Sequence, residues 1–165
     1  MTVLTNEQLN DLCLLLKNYD SYYWNECNIF LEDLFYTGCR SHELFRIDRW
    51  FVSGVNTVGL LPFKGNNTRT FFDDLLSDNL NEAIVNQVKP YNGLTLRQLM
   101  FEINRVNPYG QIFVEDKPMD AYIFRYNAVK KMVADGISYD EIKEFFGWTT
   151  TAMINQYNSA QLYYI

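Results

Sequence analysis

Cysteine, histidine and long apolar runs are all scarce in this sequence. The three cysteines, Cys13, Cys27 and Cys39, form no Cys-x-x-Cys pair, which favours free thiols in a reducing compartment over a disulfide framework. His42 is the only histidine and cannot complete a plausible zinc site with them. No apolar stretch reaches the roughly 18 residues of a membrane-spanning helix, and the start lacks a signal-peptide pattern. These absences predict a soluble, intracellular protein without metal or cofactor.

An excess of basic residues is also missing. The chain has 14 Lys and Arg against 20 Asp and Glu, a formal net charge of -6 and a pI near 4.7. Nonspecific affinity for nucleic acid comes from phosphate neutralisation by Lys and Arg. The sequence therefore excludes a protein whose whole surface attracts polyanions, while a local basic cleft stays possible.

The composition that is present supports one folded domain over residues 1–165. Hydrophobic residues make up 48% of the chain and aromatic residues 16%, enough for a sizeable core. Apolar residues recur at three- and four-residue spacing, which indicates amphipathic helices. The helices predicted in this way cover residues 5–16, 22–36, 79–89, 94–104, 121–135 and 139–146, with a further short helix at 41–47.

Residues 50–72 differ in kind from the rest of the chain. Here β-branched and aromatic residues flank Gly54, Gly59 and the turn-forming stretch "KGNN". This pattern predicts two or three short antiparallel strands. We therefore expect a mainly α fold with a small antiparallel β-sheet, in the α+β class.

Several polar and aromatic residues have both an ordinary structural interpretation and a functional one. Arg40 and Glu43, three residues apart, fit a surface ion pair or a paired site on one helical face. Lys64 fits a solvated turn lysine, and Trp148 fits a core residue. Arg125 lies among apolar neighbours in "DAYIFRYNAVKKMV" and needs an anionic partner, either an internal carboxylate or a bound phosphate.

Taken together and in order, the motifs around these residues resemble one known family. "FYTGCRSHEL", "PFKGNNTRTF", "YIFRYNAVKKMVADGISYDEIKEFFGW" and "INQY" are similar, in order and spacing, to the catalytic domain of the tyrosine recombinases, the phage integrase family. The resemblance covers most of the chain, from about Leu31 to Tyr157. Its most specific part is the spacing from Arg125 to Trp148 and from Trp148 to Tyr157.

The resemblance implies a role for each matched residue. Arg40 and Arg125 would grip the scissile phosphate of DNA, with Glu43 supporting Arg40. Lys64 would protonate the leaving 5′-oxygen, and Trp148 would donate a hydrogen bond to a phosphate oxygen. The residues expected to contact DNA are Arg40, Lys64, Arg69 and Arg125.

Two further positions complete the implied site. Tyr157 matches the nucleophile, and because it must reach a DNA phosphate we expect its side chain to be exposed on the segment after the Trp148 helix. Tyr122 stands where the family usually has histidine; a phenol can donate a hydrogen bond but is a poor base near neutral pH. The substitution puts the efficiency of proton transfer in question.

The function implied is site-specific DNA cutting and rejoining through a 3′-phosphotyrosine, without metal or cofactor. The expected partners are double-stranded DNA and further copies of the chain, assembled on DNA as a tetrameric synapse, with no membrane. The separate N-terminal DNA-clamping domain usual in the family is not expected here. Residues 162–165 are expected to pack on their own domain or on a neighbouring protomer.

Two alternatives remain at this level. One is a recombinase-derived domain that binds DNA or a partner but no longer cuts, which Tyr122 and the acidic balance favour. The other is a helical interaction module in which every matched residue is structural. The arrangement of Arg40, Lys64, Arg125 and Tyr157 in space discriminates among them.

Overall fold

A computed structural model describes residues 6–18, 22–62, 66–106, 112–114, 122–159 and 162–164. For residues 8, 12, 106, 112–114, 122, 123 and 162–164 it describes the backbone alone. Lys64, one of the predicted site residues, therefore lies outside the described part, as does the side chain of Tyr122.

Helices dominate the described part of the chain. In order they are α1 (Asn6–Asn18), α2 (Trp24–Thr37), α3 (Asp78–Asn86), α4 (Leu96–Val106), α5 (Tyr122–Ala134), α6 (Tyr139–Phe146) and α7 (Ala152–Ser159). Short 3-10 helices cover Ser41–Phe45, Ile47–Arg49, Asp73–Leu75 and Tyr91–Gly93. No described helix is long and apolar enough to cross a membrane.

A three-stranded antiparallel sheet interrupts the helices. Its strands, β1 (Trp50–Gly54), β2 (Thr57–Leu60) and β3 (Arg69–Phe72), lie in the order β1-β2-β3. Asn56, in the turn between β1 and β2, has a φ of 60°, a left-handed conformation that asparagine tolerates better than most residues. The ring of Phe51 occupies the space where Gly59, its partner across the strands, would carry a Cβ.

Two clusters of buried side chains hold these elements together. The larger surrounds α2, whose inner face carries Phe30, Leu31 and Leu34, all fully buried. The smaller joins α5, α6 and α7 and contains Val129, Ile142, Phe146, Trp148, Ile154 and Tyr157. Two of the predicted catalytic residues, Trp148 and Tyr157, therefore belong to this second core.

A second, two-stranded sheet joins distant parts of the chain. Strand β4 (Ile112–Val114) pairs antiparallel with β5 (Leu162–Tyr164), and Phe113 lies opposite Tyr163. The segment 162–164 is thus paired within the same chain, the first of the two arrangements expected for it.

The prediction of a mainly helical α+β fold with a small antiparallel sheet is confirmed. Each predicted helix with described residues is present, with ends shifted by a few residues; α3, for example, ends at Asn86 rather than at residue 89. Helix α7 and the β4–β5 pair were not predicted. Both lack the clear periodicity on which the prediction depended.

Candidate functional site

Arg40 follows directly from the end of helix α2. Gly38 ends that helix with a φ of +62°, and its N–H donates to the carbonyl of Leu34 at 3.0 Å. The next 3-10 helix places Glu43 so that its Oε1 accepts a hydrogen bond from the Arg40 backbone N–H at 2.7 Å. The indole N–H of Trp50 donates to the Glu43 carbonyl at 2.8 Å. The two motif residues are therefore held by a local hydrogen bond and by the sheet.

Arg125 reaches the same place from helix α5. Its side chain is buried, and Nη1 lies 3.5 Å from Glu43 Oε1 and 3.3 Å from the Gly38 carbonyl oxygen. The carboxylate required by a buried arginine is thus Glu43, which serves both the Arg40 backbone and the Arg125 guanidinium. The Arg40–Glu43 motif is a buried junction rather than an exposed ion pair, because Glu43 itself is buried.

Each of the two arginines keeps an unused donor. The Nε atoms of Arg40 and Arg125 are buried and have no hydrogen-bond partner among the described residues. A buried N–H without an acceptor costs free energy, on the order of 1–3 kcal/mol. Both side chains line the same cleft, and an acceptor that reached the two Nε–H groups would remove that cost.

Both arginines line one small cleft. Glu43 also lines the cleft, as do Pro62, Asn66 and Asn67 from the loop between β2 and β3. Lys64 falls between Pro62 and Asn66 in sequence and lies outside the described residues. The loop is anchored where the Asn67 N–H donates to the Gly147 carbonyl at 2.6 Å.

Arg69, expected to contact DNA, has a different arrangement in the same cleft. Its guanidinium is buried and donates to the carbonyls of Phe145 and Thr37 at 2.7 Å each. The third contact is from Nη1 to the Cys39 thiol at 3.4 Å. Burial raises the pKa of that thiol to about 11, so Cys39 is neutral at physiological pH. All three nitrogens thus have partners inside the protein. Arg69 ties the loop before Arg40 to the end of helix α6.

Trp148 and Tyr157 belong to an aromatic stack against Arg125. The rings of Phe146 and Trp148 are 4.6 Å apart, and those of Trp148 and Tyr157 are 5.5 Å apart and inclined by only 8°. The Arg125 Cζ lies 5.2, 5.5 and 5.7 Å from the ring centroids of Phe146, Trp148 and Tyr157. Guanidinium groups stack favourably on aromatic faces. The side chain of Phe146, which the sequence analysis did not single out, is therefore part of this site.

The expectation that Tyr157 is exposed was wrong. Its side chain is buried, with 5% of its surface exposed, and it lies within helix α7. Ile154 and Tyr157 are three residues apart on that helix and both face the second core, where Tyr126 also contacts the Tyr157 ring at 4.9 Å. The segment "INQYNS" is mostly polar, so its sequence pattern did not indicate that this helix has a short apolar face.

Two side chains hold helix α7 in this position. The Lys130 Nζ donates to the Asn158 carbonyl at 2.6 Å, and the Tyr139 hydroxyl bonds the Asn155 side chain at 3.0 Å. A cation at the C-terminal end of a helix also offsets the helix dipole. Lys130 was missed because the pair Lys130-Lys131 looks like solvated surface in the sequence.

The described residues contain no group of three or more His, Cys, Asp or Glu side chains arranged to hold a metal ion. The site is therefore built from guanidinium groups, a carboxylate, amides and aromatic rings.

Comparison with known proteins assigns no family. No family model matches the chain, and no curated protein matches it.

Proposed function

We propose that this chain cuts and rejoins double-stranded DNA as a tyrosine-type site-specific recombinase. The observation that carries the proposal is that Arg40 and Arg125, each with an unpartnered Nε–H, line one cleft, and that the Arg125 guanidinium also lies against the ring of Tyr157. The order of these residues in the chain is the one that the motif resemblance implies.

Phosphate binding is the first part of the proposal. Guanidinium groups are planar, permanently charged and match the geometry of phosphate oxygens. Arg40 and Arg125 come from segments more than 80 residues apart, so their joint position depends on the fold, with Glu43 between them. Donors whose positions are fixed by the fold can stabilise charge on the non-bridging oxygens with little reorganisation.

The chemical step follows from the resemblance. The Tyr157 hydroxyl gives its proton to solvent water and its oxygen attacks the phosphorus, while the bond from phosphorus to the 5′-oxygen breaks. Lys64 supplies the proton that this leaving oxygen takes, and Tyr122 and Trp148 donate hydrogen bonds to the phosphate. Rejoining reverses the step when a 5′-hydroxyl attacks the phosphotyrosine. No metal ion or cofactor takes part.

Tyr157 must change position for attack. Because its ring is buried against Trp148 and Tyr126, helix α7 has to shift so that the hydroxyl meets the phosphate held by Arg125. We propose that this shift of helix α7 is caused by assembly of several copies on double-stranded DNA, as a tetrameric synapse within the cell.

The phosphate site can be tested without knowing the DNA target. Side-chain Nε–H signals of ¹⁵N-labelled protein report directly on the two unpartnered donors. Titration with inorganic phosphate should shift the signals of Arg40 and Arg125 and leave that of Arg69 almost unchanged, because its Nε already donates to Phe145. Arg125→Lys should abolish the shift at Arg40. Equal shifts at exposed Arg97 would show mere ionic-strength effects and contradict the site.

Strand cleavage can be tested with a random-sequence duplex library that carries 5′-bridging sulfur in place of oxygen. The released 5′-thiol reattacks poorly, so cleavage leaves a covalent protein–DNA adduct that survives denaturation. We expect adduct with the parent chain and none with Tyr157→Phe, which keeps the ring stack. An adduct that persists in Tyr157→Phe would assign the attack to another residue.

Two observations favour a second function, a recombinase-derived domain that binds DNA or a partner without cutting it. The nucleophile is buried, and Tyr122 replaces the usual histidine. This alternative predicts the phosphate shifts at Arg40 and Arg125 but no adduct from any member of the library.

A further inference from the structure

A second concave surface lies at the opposite end of the sheet from the arginine cleft. Strand β2 joins the two, because Thr57 at its start lines this groove and Leu60 at its end lines the cleft. The groove runs between the β1–β2 hairpin and the segment from Asp73 into helix α3. A molecule seated here would leave the arginine cleft open.

The walls of the groove are apolar and incompletely covered. Val52 on β1 is 58% exposed and Val85 on α3 is 66% exposed, and both line the groove. Two large exposed apolar side chains facing one concavity are a common mark of an interaction surface.

The rim of the groove carries unneutralised negative charge. Asp73, Asp74 and Asp78 all line it, and none of the three forms an ion pair with a described residue. No Lys, Arg or His belongs to the lining. Carboxylates that line one groove without a cation attract an incoming positive charge.

Asn81 lines the same groove with a fixed amide. Its Nδ2 donates to the carbonyls of Asp73 and Leu76, which determines the orientation of the amide. The Oδ1 is then buried and accepts no hydrogen bond within the described residues. The groove thus offers three carboxylates beside a fixed amide, and it suits an occupant that carries positive charge.

We propose that this groove docks a basic segment of a partner protein, one in which Lys or Arg alternates with a small apolar side chain. The apolar side chain fits between Val52 and Val85, and the basic side chains meet the three aspartates. DNA is excluded as the occupant because its phosphates would meet like charge. The surface is therefore a protein-docking site separate from the proposed DNA cleft.

The test uses three peptide probes of equal length and backbone amide spectra of the full chain. The probes are acetyl-(Lys-Val)3-amide, acetyl-(Lys-Ser)3-amide and acetyl-(Glu-Val)3-amide. We expect saturable shifts at Val52, Asn81 and Val85 with the first, clearly weaker binding with the second and none with the third. Equal binding of the Lys-Val and Glu-Val probes, or shifts located elsewhere, would overturn the proposal.

A pair of matched variants distinguishes binding by the groove aspartates from an effect of the net charge of the protein. Asp74→Asn with Asp78→Asn should weaken the Lys-Val probe by roughly three- to tenfold, as expected for two exposed ion pairs. The control, Asp135→Asn with Asp140→Asn, makes the same change in net charge at exposed sites, and Asp140 matches Asp78 in lying in a first helical turn. Equal weakening in both variants would reduce the effect to net charge and contradict the site.

The apolar part has its own matched pair. Val85→Ser should weaken binding, whereas Val88→Ser, at a position 51% exposed and outside the groove, should not.

Sedimentation of the chain alone tests whether a second copy of the chain occupies the groove. Self-association that disappears in the Asp74→Asn, Asp78→Asn variant would assign the groove to a second copy and overturn the proposed foreign segment.

Discussion

Two buried arginines in the same cleft have different chemistry because their hydrogen-bond acceptors differ. Arg69 gives all of its nitrogens to acceptors within the protein, two carbonyls and a neutral thiol. Arg125 has Glu43 and a carbonyl for one nitrogen and no acceptor for Nε. The sequence alone predicted DNA contact for both. Only the count of acceptors separates an arginine that supports the site from one that can still bind an anion.

Arg69→Met tests the structural role of that side chain. The change leaves the carbonyls of Thr37 and Phe145 without their donor, and we expect the free energy of unfolding to fall by about 2–4 kcal/mol. Urea unfolding measures the loss. The control is Arg46→Met, since Arg46 is exposed and pairs with Asp48 at the surface, and its unfolding midpoint should barely move. An Arg69→Met variant that is fully stable yet loses DNA affinity would favour the predicted DNA contact over the structural role.

At the scale of elements, local sequence patterns predicted the helices whose apolar residues recur at helical spacing. Helices α2, α3 and α6 follow from apolar spacing, and Ser77 and Ser138 cap two of them by accepting from the N–H groups of Leu80 and Glu141. Helix α7 depends instead on burial of Ile154 and Tyr157 against side chains from α5 and α6. Strands β4 and β5 have three residues each and lie far apart in the sequence. Elements that exist through non-local contacts leave little trace in the local sequence.

Gly147 joins two elements of the site and its replacement has a definite expected cost. It ends helix α6 with a φ of +71°, and a Cβ there would overlap the Asn67 carbonyl oxygen of the loop beside the cleft. Gly147→Ala therefore combines backbone strain, about 1–2 kcal/mol for a left-handed alanine, with displacement of the loop. Urea unfolding and amide exchange at Asn67 report the two parts separately.

Gly136→Ala is the matched control for this prediction. Gly136 has a φ of +77° and open space around its missing Cβ, so alanine there pays only the backbone strain. We expect Gly147→Ala to be the more destabilising of the two and to accelerate exchange of the Asn67 amide. Equal costs at both positions would show that the loop does not depend on the close approach to Gly147.

At the scale of the whole molecule, one buried carboxylate joins three segments of the larger core. Asp33 on α2 accepts hydrogen bonds from the Ser77 N–H and hydroxyl at 2.7 Å each and from the Tyr91 hydroxyl at 2.8 Å. Burial raises the pKa of Asp33 from 3.8 to about 6, although these three hydrogen bonds act in the opposite direction. The folded chain therefore holds a proton between about pH 4 and pH 6 that the unfolded chain has released.

This difference predicts the sign of a pH effect on stability. The contribution of Asp33 is full below about pH 4 and is lost as the pH rises through about 6, a change of roughly 2–3 kcal/mol in the free energy of unfolding. Asp33→Asn cannot titrate, so the stability of the parent relative to this variant should be greater at pH 4.5 than at pH 7. Urea unfolding of both proteins at each pH isolates Asp33 from the other carboxylates. A relative stability that stays constant or rises with pH would contradict the raised pKa.

The sequence by itself determined the helices with clear apolar spacing, the strands of the first sheet, and the order of Arg40, Glu43, Arg125, Trp148 and Tyr157 along the chain. Those features depend on residues that are neighbours in sequence. The tertiary structure decided that Glu43 serves both arginines, that each nitrogen of Arg69 has an acceptor inside the protein, and that Tyr157 is buried on a helix of its own. These outcomes depend on atoms brought together from segments more than 30 and in places more than 80 residues apart, such as Arg125 and Gly38 or Arg69 and Thr37. Burial and hydrogen-bond pairing are properties of that assembled packing, and a linear pattern contains no record of which donors it leaves unused.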